Sequence, residues 1–327
     1  MPKISVIVPI YNVERYIKRC VVSLFEQTFK DVEYIFVNDA SSDRSVDILI
    51  ETIKGYPLIE KQIQIIHHPV NLGLGSARKT GVTASHGDYI IHCDSDDWVE
   101  NNCLEMMYDK AIREGADLVW CDYYKDTDNS STVISTSDRP DHPFSIEDVV
   151  DGTCSRGMVI WNKLVRRSIY DGDNFIYAEN LSMFEDAPLT LQFFIKAKIV
   201  AYVNHPLYHY YIREDSLVSM FFCTNEKLMI DMLNICYLVV RVLKEYNIQN
   251  IDEQAMNRRK INVKIFLLCQ PVEKRKQWYG LFPELNLSLF AKPYRVRAKI
   301  GLWGVSHGMP WLFDMYSRSI NRHKKRG

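Results

Sequence analysis

The stretch that decides the fold is Tyr89-Ile90-Ile91-His92-Cys93-Asp94-Ser95-Asp96-Asp97-Trp98, in which acidic residues directly follow a strand-forming run. In open α/β sheets, ligands bind in the crevice outside the carboxyl ends of the strands, so these carboxylates are predicted to face a pocket. Two carboxylates one residue apart can share a hard divalent cation and a ribose, and their mutual repulsion favours a bound Mg²⁺ or Mn²⁺. A solvated acidic turn is the alternative interpretation.

The composition is that of a soluble globular protein. The chain has 327 residues, 47% hydrophobic and 25% charged, enough for one large domain with an appendage or for two domains. Its net charge of −1 identifies no partner by itself, and we expect no nucleic-acid partner. The 8 cysteines are scattered without a Cys-x-x-Cys pair, which indicates reduced thiols in a cytoplasmic protein. The N-terminal apolar run is too short for a signal peptide, and charges interrupt the best membrane-span candidate, residues 221–242.

Strand and helix signals alternate along the first part of the chain. The predicted strands are residues 4–9, 34–38, 63–67, 89–93 and 117–121. Amphipathic helices follow them, the first with Asn12 as its N-cap and the last over residues 102–114. This alternation predicts a mostly parallel sheet with helices on both faces. The polar residues 125–143 predict a loop or an exposed hairpin, and a helical stripe begins after about residue 215.

Two common nucleotide-binding signatures fail. Gly73-x-Gly75 lacks the third glycine and follows the third strand, so it is not a dinucleotide fingerprint but a helix-entry turn. The sequence contains no P-loop. A sugar nucleotidyltransferase would carry a glycine-rich loop with a basic residue after its first strand, where this chain has Pro9-Ile10-Tyr11-Asn12.

Six motifs together resemble the family 2 inverting glycosyltransferases over roughly residues 4–216. In chain order they are Ser5-Val6-Ile7-Val8-Pro9-Ile10-Tyr11-Asn12, Val37-Asn38-Asp39-Ala40-Ser41-Ser42-Asp43, Asn71-Leu72-Gly73-Leu74-Gly75-Ser76-Ala77-Arg78, Asp94-Ser95-Asp96-Asp97-Trp98, Trp161-Asn162-Lys163-Leu164 and Glu185-Asp186. An ordered match of this kind is far more specific than any single motif. The resemblance implies an α/β GT-A fold, a Rossmann-like nucleotide-binding mixed sheet with flanking helices joined to an acceptor-binding half.

The resemblance also implies a nucleotide site. Tyr11 would lie against the nucleobase, or else cover the sheet edge, with Pro9 shaping the strand end. Asp39 would accept the imide N–H of uracil, since an ionised carboxylate only accepts hydrogen bonds. Arg78 would contact the base or diphosphate, or be a surface arginine. The remaining predicted nucleotide-binding residues are Asn12, Asp94 and Ser95.

A metal and a general base complete the implied chemistry. Asp96 is the first choice as ligand for Mg²⁺ or Mn²⁺, with Asp94, Asp97 and His209 as alternatives. Asp186 of the Glu-Asp motif would be the catalytic base, although it could also cap the apolar helix that follows. Here Phe184 replaces a glycine common in the family, so the local turn is expected to differ.

Four residues are predicted to contact acceptor or phosphate. Trp161 would stack on a sugar face and Lys163 would reach the diphosphate, although both could instead pack in the wall; Glu185 and Arg213 are the other two. His205 is expected to be structural or a further ligand, and His68 to have no role.

The sequence thus predicts an inverting, hexosyl-type glycosyltransferase that uses a UDP-sugar to extend a surface glycan or lipid-linked acceptor. A sugar nucleotidyltransferase and an inactive nucleotide-sugar-binding protein are the alternatives. The predicted catalytic domain is residues 1–215, with a nucleotide-binding half (1–122) and an acceptor half (145–215), followed by a helical region (216–327). The basic, aromatic tail 292–327 would lie on anionic membrane at the inner face of the cell membrane, or pack on protein in a homodimer.

Overall fold

The computed structural model describes most of the first 213 residues and part of the remainder. The described ranges are 1–136, 159–172, 174–179, 185–213 and 226–248, with single or short positions at 146, 150, 181, 256–257, 259–261, 264, 282–285, 304, 309 and 311. The predicted boundary near residue 215 and nearly all of the tail 292–327 lie outside the described residues, so the domain division stays a prediction.

The described strands form one mixed sheet. Their bounds are β1 (Ile4–Ile10), β2 (Val32–Asn38), β3 (Ile63–His67), β4 (Tyr89–His92), β5 (Trp98–Val99), β6 (Leu118–Thr127), β7 (Ser130–Ile134), β8 (Lys163–Arg166) and β9 (Val200–Tyr211). Across the sheet the order is β3-β2-β1-β4-β8-β6-β9-β5, with β7 paired to β6. β3, β2, β1 and β4 are mutually parallel, whereas β8 is antiparallel to both of its neighbours. The predicted α/β fold with a mixed sheet is confirmed.

Six described α-helices flank this sheet. They are α1 (Ile17–Phe25), α2 (Ser45–Ile53), α3 (Leu74–Ala84), α4 (Cys103–Glu114), α5 (Asp186–Lys196) and α6 (Glu226–Glu245). Short 3₁₀ turns lie at Glu60–Gln62, Arg167–Ile169 and Pro283–Leu285. Within the described part of the chain, no helix combines the length and apolar character needed to cross a bilayer.

Alternating side chains of β1 build a core on each face of the sheet, as the two-residue period of a strand requires. Val6 and Val8 pack in the core that α1 and α4 cover, and Ile7 packs in the core that α5 and α6 cover. The five described cysteines are free and buried.

Two local expectations need correction, and in a third case the structure selects one of two predicted alternatives. Helix α1 begins at Ile17, and Asn12 does not cap it: Asn12 has φ 51° and its Oδ1 accepts a hydrogen bond from the N–H of Ser42 (2.9 Å). β6 runs on to Thr127 and turns into β7, so the polar stretch contains the hairpin that was one of its two interpretations. β9, with its aromatic residues, was not predicted as a strand because it does not alternate apolar and polar residues.

Candidate active site

Three adjacent strand ends bring the candidate site together. β4, β1 and β2 are parallel neighbours, so Asp94, Tyr11 and Asp39 follow strands that end at the same edge of the sheet. The N–H of Asp39 donates to the carbonyl of Ile10 (2.9 Å), which fastens the two neighbouring loops. This edge is where ligands of open α/β sheets bind.

Asp39 is buried and organises the turn that leads into α3. Its Oδ1 contacts the Nδ1 of His68 (2.7 Å) and accepts from the N–H of Leu72 (2.8 Å), while its Oδ2 accepts from the N–H of Gly73 (2.8 Å). His68 also contacts the Oγ1 of Thr80 (2.9 Å), so the expectation that it has no role was wrong. Asp39 therefore has a positioning role beside its predicted uracil contact, which stays a prediction.

The rim of this edge is formed by the loop after β1. Pro9 is buried inside the strand, whereas Tyr11 is 49% exposed and lies just beyond it. Ser95, the residue after Asp94, is buried. An exposed aromatic ring at a strand end offers a stacking face to a planar ligand.

Arg78 occupies the centre of the site, and its position differs from the sequence-based interpretation. The guanidinium is 1% exposed, so Arg78 is not a surface arginine, and its predicted contact with the base or diphosphate stays a prediction. Its Nη2 donates to Oδ1 of Asp94 (2.7 Å), and its Nη1 donates to Oε1 of Glu185 (2.5 Å) and to Oδ1 of Asp186. One buried cation thus joins the acidic stretch after β4 to the start of α5, 107 residues away in sequence from Arg78.

The two carboxyl groups at the start of α5 differ in exposure. Burial raises the pKa of Glu185 to about 8, against the attraction of Arg78. Burial also raises the pKa of Asp186, while Arg78 again opposes the shift. The Asp186 side chain is 18% exposed and that of Glu185 only 5%, so Asp186 is the more accessible of the pair.

Asp94 and Asp96 have the donor chemistry that a hard cation requires. Burial and repulsion by Asp94 raise the pKa of Asp96 to about 6, and a bound divalent cation would relieve that repulsion. Among the described residues, no cluster of three or more His, Cys, Asp and Glu side chains forms a complete metal cage. The pair nevertheless fits Mg²⁺ or Mn²⁺, because such ions are commonly held by one or two carboxylates together with substrate phosphates.

Asp97 and His209 are turned into the protein. Asp97 accepts from the hydroxyl of Tyr208 (2.7 Å) and from the N–H of Tyr211 (2.8 Å), one bond to each oxygen. The two ring nitrogens of His209 contact Asp126 (2.8 Å) and Glu100 (2.9 Å). These contacts give both residues structural partners, and the prediction that Asp97 or His209 is a metal ligand stays a prediction.

Trp161 and Lys163 are wall residues. Trp161 is 4% exposed and stacks on Tyr208, with ring centroids 4.3 Å apart, so its packing does not fit the predicted sugar-stacking role. The ammonium of Lys163 is buried and donates to the carbonyl of Val159 (2.5 Å) and to Oδ1 of Asn162 (2.9 Å). These internal contacts support the alternative in which Lys163 packs in the wall.

The other two predicted residues differ in their setting. Arg213 pairs with Asp96, with 3.3 Å between Nε and Oδ2, and therefore lies beside the candidate metal ligand. His205 contacts only the backbone carbonyl of its neighbour Asn204 among its described contacts (3.1 Å), which is the structural alternative. Tyr208 was missed: its hydroxyl accepts from the N–H of Asp94 (3.0 Å) and donates to Asp97, so it orders the acidic stretch.

The fold and the carboxylate cluster agree with what sequence comparison finds. The family described as "Glycosyl transferase family 2" matches residues 5–172, and the chain belongs to this family. The putative glycosyltransferase EpsH of Bacillus subtilis is 37% identical over 228 residues, covering 67% of this chain and 64% of EpsH. The uncharacterized glycosyltransferase EpsJ of the same organism is 32% identical and is likewise covered over 64% of its length. The chain thus spans just under two thirds of these relatives.

Solved structures share the fold at low sequence identity. S. aureus TarS 1-349, in complex with UDP-GlcNAc, superposes with a TM-score of 0.70 and 17% identity, covering 97% of this chain and 92% of that one. The mannosyltransferase PcManGT from Pyrobaculum calidifontis, in complex with GDP-Man and Mn²⁺, has a TM-score of 0.51, 11% identity, and coverage of 95% and 84%. The GT-A fold expected from the sequence is confirmed by the TarS likeness.

Proposed function

We propose that this chain is an inverting glycosyltransferase that moves a sugar from a UDP-sugar to a hydroxyl of a growing surface glycan or lipid-linked oligosaccharide. The observation that carries the proposal is the convergence of Asp94 and Asp186 on the guanidinium of Arg78. A carboxylate predicted to face the donor and a candidate base therefore contact the same guanidinium group. That TarS binds UDP-GlcNAc supports a UDP-sugar as donor.

Asp186 would act as the general base. A carboxylate within reach of the acceptor hydroxyl removes its proton while the oxygen attacks the anomeric carbon, and the nucleoside diphosphate leaves from the opposite face. Attack opposite to the leaving group inverts the anomeric configuration. Burial raises the pKa of Asp186 toward the working pH, which favours a base that must both accept a proton and stay ionised.

Asp94 and Asp96 are the residues that would hold a divalent metal. Asp94 contacts Arg78 through Oδ1 and Asp96 contacts Arg213 through Oδ2, and a carboxylate has enough lone pairs to keep such a contact and to coordinate a cation as well. When bound, Mg²⁺ or Mn²⁺ would supply a Lewis acid for the charge on the leaving diphosphate. Arg213, next to Asp96, would add a fixed positive charge on the same side.

The test is to incubate the protein with a panel of UDP-sugars and Mn²⁺ and to measure free UDP. Release of UDP that depends on Mn²⁺ and falls by about 10²-fold or more in Asp186→Asn, with UDP affinity nearly unchanged, is the expected result for a lost general base. Release of pyrophosphate would identify a sugar nucleotidyltransferase instead. UDP binding without any release would identify an inactive nucleotide-sugar-binding protein, and equal loss of binding and turnover in Asp186→Asn would make Asp186 a wall residue.

The site of action would be the cytoplasmic side of the membrane, where a lipid-linked acceptor presents its hydroxyl. The basic and aromatic tail 292–327 motivates this part of the proposal.

A further inference from the structure

We propose that Arg78 is a positioning residue that holds the candidate base Asp186 against the donor-side Asp94, and that it does not contact the nucleotide. This inference rests on the proposed function above. It assigns to Arg78 a role in the acceptor reaction, whereas the motif resemblance implied a contact with the base or diphosphate.

The contacts of the guanidinium carry the first step. Its Nη1 and Nη2 are directed at three carboxyl groups, from Asp94, Glu185 and Asp186, and the side chain is 1% exposed. A guanidinium presents its donors in a rigid planar fork, so the contacts of Nη1 and Nη2 with these carboxyl groups set its orientation. Its Nε is buried and has no hydrogen-bond partner among the described residues. The two terminal nitrogens of Arg78 can therefore fix the direction of Asp186.

The packing of α3 carries the second step. Gly75, Arg78 and Gly81 are three residues apart and share one face of the helix. A Cβ atom at Gly75 would overlap the carbonyl of Ala178, and one at Gly81 would overlap the side chain of Ile7. The glycines on either side of Arg78 thus allow α3 to pack closely on β1 and on the segment that precedes α5. This close packing fixes the position of the Arg78 backbone relative to both.

Charge carries the third step. Without the guanidinium, Asp94 and Asp186 would be like charges in a buried site, which is costly for an unpaired ion. Repulsion would displace Asp186 from its place beside Asp94, and the candidate base would then no longer lie next to the donor.

The experiment is a double-variant cycle with Arg78→Met, Asp186→Asn and both together. Each protein is assayed for UDP release from the UDP-sugar that the wild type uses best and for UDP affinity by calorimetry. Lys79→Met is the matched control, because Lys79 is the next residue on α3 and makes an exposed ion pair with Glu179. Arg78→Lys keeps the charge without the fork and serves if Arg78→Met does not fold.

The expected result separates positioning from nucleotide contact. Arg78→Met should lower turnover by about 10²-fold, the scale of a lost general base. UDP affinity should stay within about twofold, and adding Arg78→Met to Asp186→Asn should cost little more, because coupled residues are not additive. Arg78→Lys should recover only part of the turnover, and Lys79→Met should behave as the wild type. UDP affinity that falls together with turnover, or losses that multiply in the double variant, would overturn the proposal.

Failure of the proposed function would be visible separately, as a wild type that releases no UDP from any UDP-sugar. In that case crystal structures of the wild type and Arg78→Lys decide the positioning claim. Carboxylates of Asp94 and Asp186 that move apart in the variant support it, and unchanged positions refute it.

Discussion

The polar side chains of the candidate site contact one another through ion pairs and hydrogen bonds. Arg78 faces three carboxyl groups, Tyr208 bridges Asp94 and Asp97, and Asp96 lies beside Arg213. Buried polar groups of this kind are stable only when they are paired, so each partner constrains the direction of the next. The residue scale therefore offers direct tests of which carboxylate does what.

Asp96→Asn should retain the fold and lose the metal dependence of UDP binding. An amide is a poorer partner than a carboxylate for a hard cation. Burial raises the pKa of the Asp96 carboxyl group, whereas asparagine has no charge to attract the metal. Calorimetric titration with UDP, with and without Mn²⁺, measures the effect, and Asp47→Asn on the exposed side of α2 is the control. Undiminished Mn²⁺ dependence in Asp96→Asn would exclude Asp96 as the ligand.

Glu185→Gln should remove a pH-dependent loss of stability. The folded-state pKa of about 8 lies above the ordinary value of 4.5, so the folded state binds more protons than the unfolded state between these pH values. Stability of the wild type therefore falls as pH rises through this window. Glutamine has no proton to lose, so urea unfolding at pH 5 and pH 8 should show a smaller decrease for the variant. An equal decrease in both proteins would mean that Glu185 is already ionised at pH 5.

At the scale of elements, α3 and α5 are the two helices that bring the site together. α3 supplies Arg78, and α5 begins with Asp186. Their relative position depends on backbone contact at Gly75, where any side chain would meet the carbonyl of Ala178. Close packing of this kind transmits small changes because protein interiors have few voids.

Gly75→Ala should destabilise the protein although alanine is the better helix former. The added methyl group must push α3 away from a backbone carbonyl, and overpacking of this kind costs about 1–3 kcal/mol. Thr83→Ala on the exposed face of the same helix should change stability by less than about 0.5 kcal/mol. Urea unfolding of both variants checks the difference. If Gly75→Ala were as stable as Thr83→Ala, the segment around Ala178 could move to make room for the added methyl group.

For the whole molecule, the open question is what the C-terminal region adds. Within the described residues, Ile235, Val239, Val242 and Leu243 of α6 are buried in the core shared with α5. This agrees with the helical stripe expected from the sequence. Beyond it, the tail 292–327 has nine basic residues and a single acid, Asp314. Such a composition, with interspersed aromatic residues, favours contact with anionic lipid.

A protein that ends at Phe290 should lose lipid binding that the full chain has. In co-sedimentation with vesicles, only the full-length protein should sediment, only with anionic lipid and less at high salt, because salt screens attraction between the tail and headgroups. Neutral vesicles are the control for apolar adsorption. The absence of any lipid-dependent difference between the two proteins would favour the alternative in which the tail packs on protein.

Local pattern determined the fold class and much of the site's membership. The apolar run before Asp94 forms β4, and the alternating strand and helix units before it form the parallel part of the sheet. These strands could be predicted because a strand buried on both faces has a nearly continuous apolar sequence. The order of six motifs was enough to predict the family. The same pattern did not reveal β5, which has two residues, or β9, whose aromatic and polar residues follow no period.

Only the tertiary structure decided the direction of the site residues. Arg78, Trp161 and Lys163 were each compatible with a ligand contact or an internal one, and the structure buries all three. His68 and Tyr208 carried no signal, because their partners Asp39 and Asp97 lie 29 and 111 residues away. A sequence motif specifies which chemical groups are present near a strand end. Which groups face each other is set by packing between distant segments, and that packing joins Arg78 to Asp186.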